Sequence, residues 1–487
     1  MESVCTEDYV MNDEPRVGPT AIAQPMNPAA AARWRAARHI LCIRLDSLGD
    51  VLMCTPAMRA LRDAVPGRHL TLLSSPSAAA VAPCIPELDA ALVWNVPWMK
   101  QPATAARMDA VPLQRMDAAQ MESKDAAQVA RMDAAPMDKA HAAPREGMET
   151  FTAKKMGAIT PQEMNADTAE RMDASAPSSL HRLAAELRRH AFDGAVIFTS
   201  YSQSALPAAM LCHLAGIPLR LATCRENPYA LLTDWIPEPE RERATRHEVQ
   251  RQLDLVAAIG CTTHDSRLSF TAPDDARVGL DACLDRAGID ASRPFLVLHP
   301  GASAPSRRYP ARHWPELLRL LGSMGHQLVL SGDAAEARAI DAMIDAANAM
   351  PRPPLSSPVN VRSLAGRLDL PQLGVLLQRA RLLVANNTGP AHIAAAVGTP
   401  VVSLYAMTNP QHTPWQVAHR VLFHPVDCRD CLRSTCPQSH HACLDLLAPG
   451  IIAAAVAALL DETAQRPACR AGAPLAYEAR TGQSNIT

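Results

Sequence analysis

The sequence predicts an α/β protein of two doubly wound domains facing one another across a cleft. Three observations carry this expectation. Short apolar runs of buried-strand type alternate with helical patterns in the first hundred residues, the signature of a parallel sheet. The alternation resumes near residue 179, and a second α/β series begins near residue 295. Several of the apolar runs end in loops of small and polar residues, and sheets of this kind hold ligands at the carboxyl ends of their strands.

At 487 residues the chain is long for one domain and suits two. Lys and Arg number 47 against 49 Asp and Glu, for a formal net charge of -2. No global basic field points to nucleic acid, so partners must be read from local sites. Residues Met1 to Arg38 contain no apolar signal-peptide core, and no window approaches about 20 uninterrupted apolar residues, so a cytoplasmic protein is expected. Most of the 13 cysteines then read as reduced thiols, several of them in apolar strands or helices.

The first strand is expected in "HILCIRL" from His39, followed by the turn "DSLGD" and a helix from about Val51 to Val65. "HLTLLSS" and "AALVWNV" read as further strands around a helical "PSAAAVAPCIPEL". From about residue 99 to 178 the pattern gives way to Met, Asp, Ala, Gln and Lys, with "RMDA" at 107, 115, 131 and 171. This segment offers little bulk for a core and reads as a low-complexity insertion inside one domain. After it come helix "LHRLAAELRRH", strand "GAVIF", helix "SALPAAMLCHLAG" and strand "LRLAT". A charged amphipathic helix over 238–260 links the halves.

The second series runs through "FLVLHPG", a helix from about Pro310 to Met324, "QLVLSGD", a helix around Ala335 to Asn348, "PVNVRSL", "LPQLGVLLQRA", "RLLVANN" and "GTPVVSLY". A final helix, "GIIAAAVAALLDET", ends near 463.

Four stretches carry candidate chemistry. In "RLDSLGDVLMCTPAMRAL", Gly49 permits a tight turn and Asp50 falls at the start of a helix, where it is either an N-cap or a general base at the cleft rim. One glycine is too few for a dinucleotide loop. In "LHPGASAPSRRYP", Ser303 lies in a small-residue loop that brings backbone N–H groups to an anion; Arg307 and Arg308 are either phosphate contacts or solvated charges. In "SGDAAE", Glu336 either accepts from a ribose diol or complements the helix dipole. In "NNTGPAHIAAAVGTPVVSLY", Asn387, Thr388 and Gly389 lead into a helix whose free N–H groups favour phosphate. His392, one turn in, is either a ligand contact or a satisfied core histidine. A fifth stretch, "CRDCLRSTCPQSHHACL", places Cys428, Cys431, Cys436 and Cys443 within metal-ligand spacing, enough for a closed structural Zn or Fe site or for four reduced thiols in a loop.

In this order, the first four stretches resemble the ADP-heptose:lipopolysaccharide heptosyltransferases, glycosyltransferase family 9, over residues 39–99 and 179–460. The resemblance implies a GT-B fold. An N-terminal tail (1–38) precedes an acceptor-side Rossmann-like domain (39–260, insertion at 99–178); a nucleotide-sugar domain (261–463) and a C-terminal tail (464–487) follow. It implies an inverting transfer of heptose from an ADP-sugar donor to a lipopolysaccharide core or other glycan acceptor, with no catalytic metal. Asp50 matches the family's catalytic aspartate, and Arg307 the basic residue, often lysine, that stabilises the leaving diphosphate, with Ser303 nearby. Glu336 matches the acidic residue that holds ribose or base, and Thr388, Gly389 and His392 match the diphosphate-binding helix start.

A branch that heptosylates autotransporter proteins holds iron with four cysteines, which raises the metal reading for this cluster. Contact with the inner face of the cytoplasmic membrane is a further expectation. The chain departs from the pattern at Asn387, where many relatives carry Asp, and in the "RMDA" insertion. Two alternatives stand beside this reading: a protein glycosyltransferase or a family member with another donor, and a non-catalytic nucleotide-sugar-binding scaffold.

Overall fold

The computed structural model describes residues 28–99, 179–238, 246–351, 359–406, 410–428, 431 and 433–465. The "RMDA" insertion beyond Met99 and the outer parts of both expected tails lie outside the described residues.

Among the described residues there are two six-stranded sheets, and every strand pair in both is parallel. The first contains β1 (His39–Arg44), β2 (His69–Ser74), β3 (Ala90–Val93), β4 (Gly194–Ile197), β5 (Leu219–Cys224) and β6 (Asp234–Pro237), in the order β3-β2-β1-β4-β5-β6. The second contains β7 (Phe295–His299), β8 (Gln327–Leu330), β9 (Val361–Ser363), β10 (Leu382–Asn386), β11 (Val401–Leu404) and β12 (His419–Leu422), in the order β12-β11-β10-β7-β8-β9. Counted from its own first strand, each sheet has the same 3-2-1-4-5-6 arrangement. The reversal of winding falls between β1 and β4 in one sheet and between β7 and β10 in the other, and such switch points open a crevice beyond the strand ends. The loops after β1, β7 and β10 are the ones the sequence singled out.

The central strands read as continuous apolar runs because helices cover both faces. β7 and β10 are buried along their whole length, as is β1 after its first residue. The two domains also share a core: Val51, Leu52 and Met58 pack in one cluster with Phe270, Val375, Ala391 and Ile393. The crossing helix Glu248–Ala257 adds Leu255 and Val256 to that cluster.

Several local expectations shift. The helix after the first turn divides at Cys54 into Leu48–Met53 and Thr55–Asp63, because Pro56 lacks the N–H that would continue the ladder. "PSAAAVAPCIPEL" forms only a short 3-10 segment, Ala79–Cys84, with Pro83 inside it. The linking helix begins at Glu248, and residues 239–245 lie outside the described residues. Edge strands β6 and β12 and the helix Asp274–Arg286 were not foreseen; β6 holds Pro237, which only an edge tolerates.

The expected N-terminal tail is in part a structural element. Residues Pro28–Ala36 form a helix, and Trp34 is fully buried, its indole N–H donating to Asp234 Oδ2 at 3.0 Å. Arg68, itself buried, donates to the carbonyls of Trp34, Ala37 and Leu61 and fastens this helix to the sheet. Trp34→Ala should lower unfolding stability by about 3–5 kcal/mol in urea titration. A loss below about 1 kcal/mol would show that the helix contributes no core packing.

Candidate active site

The first half of the candidate site is built on the first turn. Ser47 is the N-cap of the helix Leu48–Met53 (φ -87°, ψ 169°), and Asp50 occupies the third helical position, not the cap itself. Asp50 Oδ2 accepts from the Ser47 N–H at 3.1 Å and from the Ser47 hydroxyl at 2.6 Å, one half of a capping box. Its other oxygen, Oδ1, lies 3.2 Å from Arg44 and 4.0 Å from His412 Nδ1. Oδ2 therefore closes the helix end, while Oδ1 faces Arg44 and His412.

Arg44, the last residue of β1, is fully buried and forms ion pairs with three carboxylates: Asp46 at 2.8 Å, Asp50 at 3.2 Å and Glu248 at 2.8 Å. Burial by itself would push the Asp50 carboxyl up, but the Arg44 guanidinium, with His412 and the Ser47 hydrogen bonds, holds it well below the usual carboxylate range. Burial wins at Asp46, whose carboxyl is pushed up although it shares the same arginine. Glu248 opens the crossing helix, and its neighbour His247 contacts the second domain: Nε2 donates to the Thr413 carbonyl at 2.9 Å and the ring lies 4.5 Å from that of Trp415.

The opposite half is built on β7, β8 and β10. Asn386, at the end of β10 and fully buried, donates to the carbonyls of Pro300 at 2.6 Å and Gly301 at 3.3 Å and accepts from the Tyr309 N–H at 3.0 Å. It pins both ends of the 300–309 loop. From the far side, Ser306 donates through its N–H to the Ser434 carbonyl at 3.0 Å and through its hydroxyl to the Arg433 carbonyl at 2.7 Å, while His441 Nε2 donates to the Ser306 carbonyl at 2.8 Å. The two arginines of this loop separate. Arg308 donates to the Ala302 carbonyl at 2.7 Å and borders a cavity, whereas Arg307 is half-buried with its Nε lacking a hydrogen-bond partner.

The cavity, about 360 Å³, is walled by Ser303, Arg308, Asp333, Glu336, Thr388 and Pro390 among others. Glu336 caps the helix Ala337–Ala349: its Oε2 accepts from the Asp333 N–H at 3.0 Å, and Asp333 Oδ1 accepts from the Glu336 N–H at 2.8 Å. A Cβ at Gly301 would collide with the Glu336 carboxylate, so the glycine is what lets that carboxylate reach the cavity rim.

The N-cap of the helix Gly389–Val397 is Thr388 (φ -154°, ψ 168°), not Asn387, and the Thr388 side chain makes no capping bond. Asn387 is buried with its Nδ2 unpartnered. His392 is buried too, and its Nδ1 has no hydrogen-bond partner, so it is not a satisfied core histidine. Burial pushes its imidazole down to about 3, and the charges of His412, His247 and Arg307 act in the same direction against Asp50. A Cβ at Gly49 would come within 2.6 Å of His392 Cδ2, so Gly49 is required here because a ring from the second domain fills its place. Gly49 thus meets His392 and Gly389 meets Leu48, the charges of Asp50 and Arg307 both act on His392, and Ser303, Glu336 and Thr388 line the cavity.

The cysteine cluster does not fulfil the metal expectation. Cys428, Cys431, Cys436 and Cys443 are half-buried and form no disulfides among the described residues, and among those residues no group of three or more His, Cys, Asp or Glu could hold an ion. Cys428 Sγ is 3.9 Å from His440 Nε2, whereas His441 turns away to brace Ser306 and Cys443 packs against the C-terminal core. The loop's chemistry is thus directed at the 300–309 segment.

Sequence reasoning missed Arg44, Asp46, Glu248 and His412. Arg44 left one signal, a charge closing an otherwise apolar strand; the other three left none.

Comparison with known proteins bears on the family and the fold. The model of glycosyltransferase family 9 (heptosyltransferase) matches residues 180–442. Lipopolysaccharide heptosyltransferase 2 of Escherichia coli (strain K12) is 29% identical over 245 residues, 48% of this chain and 65% of that relative. Lipopolysaccharide heptosyltransferase 1 of Pseudomonas aeruginosa is 32% identical over 199 residues, 39% of this chain and 49% of that relative. The sequence matches thus span less than two thirds of these relatives' lengths. Among solved structures, the glycosyl transferase family 9 protein from Veillonella parvula superposes with TM-score 0.57 at 16% identity, covering 87% of this chain and 97% of that one. The E. coli ADP-heptose lps heptosyltransferase II superposes with TM-score 0.56 at 19% identity, covering 88% and 99%. These two likenesses show the shared fold, and the family match, over more than half the chain, identifies the protein as a member of glycosyltransferase family 9 (heptosyltransferase).

Proposed function

We propose that the protein transfers heptose, with inversion, from an ADP-heptose donor to a lipopolysaccharide core saccharide or related glycan, at the cytoplasmic face of the inner membrane. The observation that carries this reading is the contact of the Gly49 turn with His392, which sets an ionised carboxylate opposite a helix N-terminus edged by unpartnered polar atoms. Family membership and the heptosyltransferase names of its relatives support the donor class.

In this reading Asp50 Oδ1 takes the proton of the acceptor hydroxyl as its oxygen attacks the anomeric carbon from the face opposite the diphosphate. The bond between that carbon and the diphosphate oxygen breaks, and its electron pair leaves with ADP. The free N–H groups at the start of Gly389–Val397, the Arg307 guanidinium and the Thr388 hydroxyl take up the charge that develops there. His392 enters as a neutral imidazole, able to donate one hydrogen bond. Ser303 and Glu336 hold the nucleoside end, Glu336 through a ribose diol. Charge is stabilised by protein dipoles and guanidinium, so the reaction is assigned no metal.

Two outcomes are expected. Asp50→Asn should lower the rate of ADP release from ADP-heptose by about 10²- to 10⁴-fold while leaving ADP affinity unchanged by calorimetry; turnover equal to wild type would remove Asp50 from the mechanism. Asn387→Asp should preserve the fold and weaken ADP binding about three- to tenfold, since it sets a carboxylate beside phosphate. Unchanged or tighter binding would mean that residue 387 faces away from the diphosphate.

A further inference from the structure

A second cavity, of about 330 Å³, lies at the carboxyl ends of β1 and β4, where the first sheet reverses its winding. Ile43 and Ile197, register partners on the two strands, border it together with Leu45 and Phe198, which follow them out of the sheet. After β3 the chain turns back, the Met99 N–H donating to the Val96 carbonyl at 3.3 Å, and half-buried Trp98 adds an indole to the same wall. Leu45 also opens the turn that leads to Asp50, so the cavity adjoins the segment that carries the candidate base.

The polar part of the wall is neutral. Thr199, Ser202, Gln203 and Ser204 follow β4, and among the described residues no Lys, Arg, His, Asp or Glu borders the cavity. The cavity beside β7 differs, with Arg308, Asp333 and Glu336 in its wall. Ser204 is already engaged, donating to Glu226 Oε1 at 2.7 Å, and Gln203 accepts from the Ser200 N–H at 3.1 Å and donates to Asp46 Oδ1. Asp46 in turn shares Arg44 with Asp50. At Thr199 the carbonyl accepts from Gln252 Nε2 at 3.0 Å, which fixes the backbone, while the hydroxyl is buried and has no hydrogen-bond partner.

These walls select against two kinds of ligand. A phosphate or carboxylate would lose its hydration here and find no counter-charge in the wall. A purely apolar group would leave the Thr199 hydroxyl unpaired, and a buried polar group without a partner costs free energy. A neutral sugar ring meets both conditions, since its faces carry C–H groups and its edge carries hydroxyls. The volume falls within the range of small-molecule sites, about 300–1,000 Å³.

We propose that this cavity seats the acceptor ring that carries the reacting hydroxyl, and that this ring is an uncharged pyranose, a hexose or heptose bearing neither phosphate nor carboxylate. A C–H face of the ring packs on Trp98, and Thr199 and Ser202 meet its hydroxyls. Trp98 and Thr199 are then specificity-determining residues, and the chain Gln203–Asp46–Arg44 ties the ring's position to that of Asp50. This assignment rests on the transferase reading above and names the class of acceptor it takes.

The test uses the full chain with ADP-heptose and three methyl glycosides as acceptors: a heptopyranoside, its phosphate monoester, and the glycoside of an ulosonic acid. The neutral heptoside should be the best acceptor, with kcat/KM about tenfold or more above either anionic one. Trp98→Ala should raise KM for the neutral acceptor about tenfold with kcat changed less than about threefold; Trp98→Phe should recover most of that loss, and Thr199→Val should raise the same KM about threefold. ADP affinity by calorimetry should stay within about twofold of wild type in all three, which checks the fold of each. A preference for either anionic acceptor would overturn the proposal, and so would an unchanged acceptor KM in both Trp98→Ala and Thr199→Val. Loss of ADP affinity in Trp98→Phe and Thr199→Val would make the wall structural and overturn it too. Saturation-transfer NMR reads heptoside binding directly, and no contact with the wild-type chain overturns the proposal whatever the turnover. Failure of the wild-type chain to bind ADP-heptose, with heptoside contact that Trp98→Ala abolishes, would remove the transferase reading and keep the sugar site.

Discussion

One buried guanidinium organises the first-domain half of the candidate site. Arg44 has no solvent exposure and faces Asp46, Asp50 and Glu248, so its desolvation is offset only by charges that the fold must bring from three places. Two come from the turn that follows β1; the third comes from the crossing helix, 204 residues away. Removing any of the carboxylates changes the balance at the others, and removing the arginine leaves three negative charges in a shared pocket. Arg251, buried beside Glu248 and paired with Glu238, ties the same network to the end of β6 in the first sheet. The position of the candidate base is therefore tied to the segment that joins the halves, and domain placement and carboxylate orientation are one constraint.

A second constraint is steric and crosses the same boundary. Gly49 and Gly389 each lie against a side chain from the other domain, His392 and Leu48 respectively. The two helix starts can interlock because both positions lack a Cβ. Around them, the shared apolar cluster makes the domain contact a continuation of the core. On the second domain three buried polar atoms, Arg307 Nε, Asn387 Nδ2 and His392 Nδ1, are left without hydrogen bonds. Unpaired buried polar groups are costly, and a bound diphosphate or sugar hydroxyl would repair them.

What the sequence revealed and what it hid divide along contact range. Central strands and turn glycines were legible because apolar runs and small residues act within a few positions of themselves. The pair Asn386 and Asn387 shows the limit: adjacent identical side chains look alike in sequence, but strand alternation sends one to brace the Pro300 and Gly301 carbonyls and the other to an unpaired position beside the helix start. Glu248 and His412 were invisible because nothing local marks a residue whose partner is brought close only by the assembled domains. The cysteine spacing misled for a related reason. Spacing permits a metal site, and the fold instead spends His441, Arg433 and Ser434 on the loop that carries Arg307.

The electrostatics of Asp50 bear on how such a site could work. A carboxylate held well below its usual range is always ionised at neutral pH, and it is also a weak base. It could not remove a proton from a resting hydroxyl. It needs only to be more basic than the attacking oxygen once that oxygen has begun to bond to carbon, when its proton becomes strongly acidic. In the proposed transfer, proton transfer would trail bond formation, and the charge of the departing diphosphate would fall on the helix start and Arg307. Strengthening the base would require weakening Arg44's hold, and with it the ion pair that positions Oδ1. The arrangement favours placement over basicity, which is the more useful choice where the leaving group carries most of the barrier.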